Sequence, residues 1–136
     1  MTRMALAYLV ALAVFAGADF VWLAYIARDF YRSQLGSLLA DKPQLLPAMA
    51  FYLLFVLGLI IFGVAPAIKE HSWRVALAQG AMFGFFAYAT YDLTNLATLK
   101  DWPMALSFAD LAWGTLAAGT ASLCSYLAAS SITDKF

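Results

Sequence analysis

The sequence predicts an all-α integral membrane protein, a four-transmembrane-helix bundle with a short interfacial helix between helices 1 and 2. Three observations carry that fold class. Of 136 residues, 65% are hydrophobic and 12% charged, against about 45–50% and about 25% in soluble domains. The apolar residues fall into four runs, each long enough for the roughly 20 residues a helix needs to cross a bilayer. None of these runs shows the period-two alternation of a transmembrane barrel strand. The length suits a single four-span domain over residues 1–136.

The first span covers residues 4–26 and is interrupted only by Asp19. It is longer than the roughly 7–15 residues of a signal-peptide core, and further apolar spans follow, so it reads as a retained helix. In the linker 27–45, Tyr31, Leu35, Leu38 and Leu39 recur at helical spacing, with Arg28, Asp29, Arg32, Asp41 and Lys42 as polar companions. That pattern predicts an amphipathic helix on the membrane surface, stopped by Pro43; the alternative is a solvated loop packed on the helix ends. The second span, 46–68, holds no acidic or basic residue and is expected to serve as packing. The third and fourth spans, 74–99 and 104–129, are joined by the turn Lys100-Asp101-Trp102-Pro103. Pro103 stands where a helix can begin, because the N–H it lacks would be unpaired there. Trp73 and Trp102 fall at span ends, as interfacial anchors do.

Charge narrows the function classes. Eight Lys or Arg balance eight Asp or Glu, so nothing points to a nucleic-acid partner. A single cysteine, Cys124, excludes an intramolecular disulfide, and a single histidine, His71, excludes a site with two His ligands from one chain. No cofactor and no metal centre are implied. An even number of spans puts both termini on one side, with Arg3, Lys69, Arg74 and Lys135; the other side carries Arg28, Arg32, Lys42 and Lys100. The positive-inside comparison is a tie, and the free amino terminus tips it toward both termini in the cytoplasm.

Three aspartates lie inside predicted spans: Asp19 in the first, Asp92 in the third and Asp110 in the fourth. A central Asp costs roughly 2.5–3.5 kcal/mol on insertion scales. At 1.5 Å per residue, each sits roughly 10 Å below the same membrane face. Three carboxyl groups thus share one layer, and no Lys or Arg accompanies them at that depth. Gly84, Tyr88, Asp92 and Asn95 share a face of the third span, while Gly80 and Gly84 permit close approach of another helix. Ser107, Asp110, Trp113 and Gly114 align on the fourth, and Phe15, Asp19 and Trp22 on the first. Tyr88, Asn95 and Ser107 are candidate donors to the carboxyl groups. The segments Ala18-Asp19-Phe20-Val21-Trp22 and Ala109-Asp110-Leu111-Ala112-Trp113 look like a repeat, but equal depth on antiparallel helices argues against a simple inverted duplication.

The run Ala87-Tyr88-Ala89-Thr90-Tyr91-Asp92-Leu93-Thr94-Asn95-Leu96, continued to Pro103, is a specific motif. With Asp19 and Trp22, Phe30-Tyr31-Arg32-Ser33-Gln34-Leu35-Gly36 and Asp110-Leu111-Ala112-Trp113-Gly114-Thr115, it resembles a family of small four-span bacterial membrane proteins catalogued only as a domain of unknown function. The resemblance covers nearly the whole chain. It implies a bacterial inner-membrane setting and no established activity.

The candidate site is therefore Asp19, Asp92 and Asp110 with Tyr88, Asn95, Trp22, Trp113 and Ser107. As a binding or transport module it would hold a proton, a cation or a small cationic solute, with a homodimer completing a path. As a membrane enzyme it would act on a lipid or a hydrophobic small molecule, one aspartate serving as acid and another as base. As an accessory subunit of a larger membrane complex, its small-residue faces would serve protein contacts. In a purely structural role the aspartates would fix helix pairing.

Overall fold

The computed structural model describes residues 2–132. Met1 and Lys135, which entered the charge comparison, lie outside the described residues. Among the described residues the chain forms helices and turns and no strand. The helices are α1 (Arg3–Ile26), α2 (Arg28–Leu35), α3 (Leu45–Glu70), α4 (Trp73–Thr98) and α5 (Met104–Ser130).

Local chemistry sets the helix ends. Thr2 caps α1 by accepting from the Ala5 N–H at 3.1 Å, and Ser72 caps α4 by accepting from the Val75 N–H at 3.4 Å. Each side chain satisfies a donor that the first turn leaves free. α3 stops at His71, which takes the left-handed conformation (φ 52°), and the Ser72 N–H closes back on the Ala67 carbonyl at 3.0 Å. Within α3 the turn Ile60–Val64 widens to a π-turn, one residue before the first turn of Ala65-Pro66. Pro66 has no N–H for the Phe62 carbonyl, and its ring crowds the preceding turn. α1 ends in a second wide turn, Trp22–Ile26, which feeds directly into α2.

The surface helix expected to run up to Pro43 is shorter. It ends at Leu35 because Gly36 takes φ +53° with ψ −121°, a region that a side chain resists. Leu38 and Leu39 lie beyond it and are exposed.

The pairing of α4 with α5 is the most extensive helix contact, followed by α1 with α5. Both pairs are antiparallel: Ala76 meets Ser122 while Asp92 meets Ser107, and Ala7 meets Ser125 while Asp19 meets Trp113. Small residues make the α4–α5 approach possible. A Cβ on Gly84 would overlap the Gly114 carbonyl and the Ala118 methyl, and one on Gly80 would overlap the Ser122 side chain. Two buried hydroxyls reach backbone carbonyls of neighbouring helices, Ser122 to Ala76 and Ser125 to Ala7, each at 2.7 Å. On α1 the buried face is Ala7, Ala11, Phe15 and Asp19, spaced by four. α3 closes the bundle, with Gly63 against Gly80 and Gly58 against the Phe83 ring.

The exterior is apolar on every long helix: Leu9 and Phe20 on α1, Leu54 and Phe62 on α3, Phe86 and Leu93 on α4, and Phe108 and Leu116 on α5 are exposed. Small residues and large apolar ones such as Phe15, Leu59 and Leu106 share the interior, while further large apolar side chains face out, an exterior suited to lipid. α1 and α3 are each long and apolar enough to cross a membrane. α4 and α5 are as long, at 26 and 27 residues.

The α4–α5 seam leaves no room for added side chains. Gly84→Leu is expected to lower unfolding stability in detergent by about 1–3 kcal/mol through overpacking. Gly17 has nothing within 4 Å of a built Cβ, so Gly17→Ala should raise stability by roughly 0.5–1 kcal/mol. Chemical denaturation followed by circular dichroism measures both; a neutral Gly84→Leu would contradict the close contact.

Candidate functional site

The carboxyl layer is built by two Asp-x-x-Trp segments, one on α1 and one on α5. Three residues along a helix bring Asp and Trp to the same face, so Asp19 carries Trp22 beside it and Asp110 carries Trp113. Where α1 and α5 pair, the two indoles stack at 4.6 Å between ring centroids with planes 4° apart. Trp113 then bonds across to α1, and Trp22 bonds the tyrosine that meets Asp110. The Trp113 Nε1–H donates to Asp19 Oδ1 at 3.0 Å. The Trp22 Nε1–H donates to the Tyr31 hydroxyl at 3.2 Å, and that hydroxyl donates to Asp110 Oδ1 at 2.6 Å. The second oxygen of Asp19 accepts a short hydrogen bond from the Tyr52 hydroxyl.

Two of these donors come from places the sequence reading left out. α3, expected only to pack, supplies Tyr52 to Asp19. The linker helix α2, expected to lie on the surface, turns Tyr31 inward onto Asp110. Neither phenol stood out, since tyrosines at span ends are ordinary interfacial residues. The signal that was available is the spacing of Tyr31 and Leu35 on one face of α2, with Tyr31 eight residues beyond Leu23.

The donors expected from sequence sit differently. Ser107 is buried, but its hydroxyl donates to the backbone carbonyl of Asp92 at 3.4 Å and accepts from the Trp102 indole at 3.0 Å. It ties the α4–α5 turn and does not reach a carboxyl group. Trp102, half-buried, is accordingly turned onto Ser107 and the Tyr91 ring, with centroids 5.8 Å apart. Asn95 stands beside Tyr91. Tyr88 packs its ring on Gly114 and edge-on to Phe55 at 6.1 Å.

Asp92 is the exception in the layer. It is fully buried, at 0% exposure, and no donor meets either of its carboxyl oxygens with hydrogen-bond geometry. The carboxyl group of Asp110 is the neighbouring acid that acts on it, and Asp110 also acts on Asp19. No Lys or Arg is among the groups acting on Asp19 or Asp92. The three aspartates therefore come together around Asp110. Carboxyl groups in contact at low dielectric cannot all be charged unless a cation joins them.

Beside this layer lies a cavity of about 490 Å³. Its wall includes the carboxyl-bearing residues Asp19 and Asp110, the aromatic residues Tyr31, Phe51, Tyr88 and Tyr91, and the aliphatic Leu23, Leu35 and Ala87. Every helix contributes, and α2 covers it through Tyr31 and Leu35. The residues present offer no cluster of His, Cys, Asp or Glu suited to a metal ion among those described.

A family model described as predicted membrane protein, DUF2177, matches residues 4–127 of the chain. Neither a curated protein nor a solved structure matches it.

Tyr31 is testable by titration. Burial first, and then its hydrogen bond to Asp110, hold its phenol well above the usual tyrosine range. A raised folded value favours the folded state below the unfolded tyrosine value of about 10, and this contribution is lost as pH rises beyond it. At about pH 11, folded wild type and Tyr31→Phe should show equal phenolate absorbance, and the unfolded chains should differ by one tyrosine. A folded-state difference would place Tyr31 in water. Tyr52→Phe should lower stability by about 1–3 kcal/mol, because it strips a donor from a buried carboxyl. Tyr8→Phe, which removes an exposed bond to the Leu53 carbonyl, should cost less in the same denaturation assay.

Proposed function

The chain belongs to the predicted membrane protein family DUF2177, and on that premise we propose a four-span inner-membrane protein whose carboxyl layer binds a proton, a cation or a small cationic solute. In this reading α1, α3, α4 and α5 all cross the bilayer, α2 lies at one face, and both termini are cytoplasmic. The exposed large apolar side chains on all four long helices support the crossing. So do the lengths of α4 and α5, which at 1.5 Å per residue exceed the roughly 30 Å hydrocarbon layer.

The observation that carries the binding reading is Asp92. A carboxyl group retained to pair helices would hold donors, as buried polar groups in folded proteins do. Asp92 holds none and abuts a second carboxyl group. Such a group weakens the fold unless a proton or cation completes it, and ionisable groups kept inside membranes at that expense mark ion and proton paths. Asp110 connects it to the cavity wall.

Asp92→Asn separates function from packing. The amide would supply a donor toward Asp110 and remove a like charge, so the variant should gain about 1–3 kcal/mol of stability. In proteoliposomes with an imposed proton or sodium gradient, its charge uptake should fall at least about tenfold, as should that of Asp110→Asn, a loss of about 1.4 kcal/mol or more. Loss of stability with unchanged uptake would assign Asp92 to helix packing and end this reading.

A further inference from the structure

The cavity itself limits what can occupy the site. At about 490 Å³ it is many times the roughly 30 Å³ share of one water molecule and falls in the range of small-molecule pockets. A bare inorganic cation would leave most of it empty.

The ligand chemistry of the wall points the same way. A hard divalent cation takes six or more oxygen ligands at short range. Here both oxygens of Asp19 are engaged, by Tyr52 and Trp113, and one oxygen of Asp110 is engaged by Tyr31. Too few oxygens are left to strip such an ion of its water. The rest of the wall is aromatic and aliphatic, and Tyr88, Tyr91 and Phe51 line it together with the two aspartates. Ring faces attract a weakly hydrated organic cation and give little to a strongly hydrated metal ion. The cover is amphipathic: α2 presents Tyr31 and Leu35 to the cavity and carries Arg28, Asp29 and Arg32 on the same short helix. A ligand entering beneath it would come from the interfacial zone of the bilayer, where amphipathic molecules collect.

We infer that the cavity takes an amphipathic organic cation, an alkylated ammonium with an aromatic or alkyl body, with its head between Asp19 and Asp110 and its body against Tyr88, Tyr91 and Phe51. This rests on the cation-binding reading above and specifies the class of cation. The carboxyl groups supply the charge, the rings replace the head group's loose hydration, and Leu23 and Leu35 meet the apolar body.

The test uses the full chain in nanodiscs of zwitterionic lipid, titrated calorimetrically with benzyltrimethylammonium, with empty nanodiscs subtracted. Saturable binding is expected. It should weaken about tenfold or more in Asp110→Asn and about threefold in Tyr91→Leu, which removes one ring from the cavity wall. The neutral isostere neopentylbenzene should neither saturate nor compete. If the neutral compound competes equally, the cavity is a general apolar pocket and the inference fails. If benzyltrimethylammonium does not bind while sodium, calcium or proton uptake is still lost in Asp110→Asn, the inference fails and the cation-binding reading stands. If no cation binds and no proton is taken up, both fall.

Discussion

A carboxyl group placed inside a bundle with an apolar exterior has no water to turn to, so its hydrogen bonds must come from the helices around it. Asp19 and Asp110 meet that requirement in a way that organises much of the molecule. Satisfying Asp19 draws Trp113 from α5 and Tyr52 from α3. Satisfying Asp110 draws Tyr31, and with it the whole of α2, onto the end of the bundle. The stacked indoles between α1 and α5 belong to the same network, Trp113 bonding Asp19 across to α1 and Trp22 bonding the Tyr31 hydroxyl that meets Asp110. A surface helix, two long helices and the rim of a cavity are thus positioned by two acidic groups.

Close backbone approach supports this arrangement elsewhere in the bundle. Association in lipid lacks the hydrophobic drive that joins helices in water, and small residues with buried hydroxyls take its place. Gly80, Gly84 and Gly114 let α4 and α5 touch, and Ser122 and Ser125 bond across to Ala76 and Ala7. Toward the carboxyl layer the glycine at 114 faces the Tyr88 ring, so the packing seam passes directly into the cavity wall.

The layer is not uniformly satisfied. Asp19 is bonded on both oxygens, Asp110 on one, and Asp92 on neither. This gradient runs from α1 through α5 to α4 and leaves the uncompensated group fully enclosed behind one that lines the cavity.

The sequence by itself determined the helices and the positions of the acids along them. Apolar runs bounded by charge, Pro103 and Ser72 set the long helices to within two residues of their observed ends, because helix length and apolarity are local properties that lipid selects directly. Counting residues from those ends placed Asp19, Asp92 and Asp110 in a common layer. What it could not yield was the choice of partners. Tyr52 carries no local mark that separates it from other span tyrosines, the spacing of Tyr31 with Leu35 marks a face but not its partner, and Ser107 had every appearance of a donor to the acids. The early stop of α2 at Gly36 depended on a single positive φ. Which hydroxyl meets which carboxyl depends on rotation about each helix axis and on the separation of helices far apart in the chain. Those quantities are fixed only when all the helices pack together, so the tertiary structure alone decided that Asp19 is satisfied, that Asp92 is not, and that a cavity opens beside them.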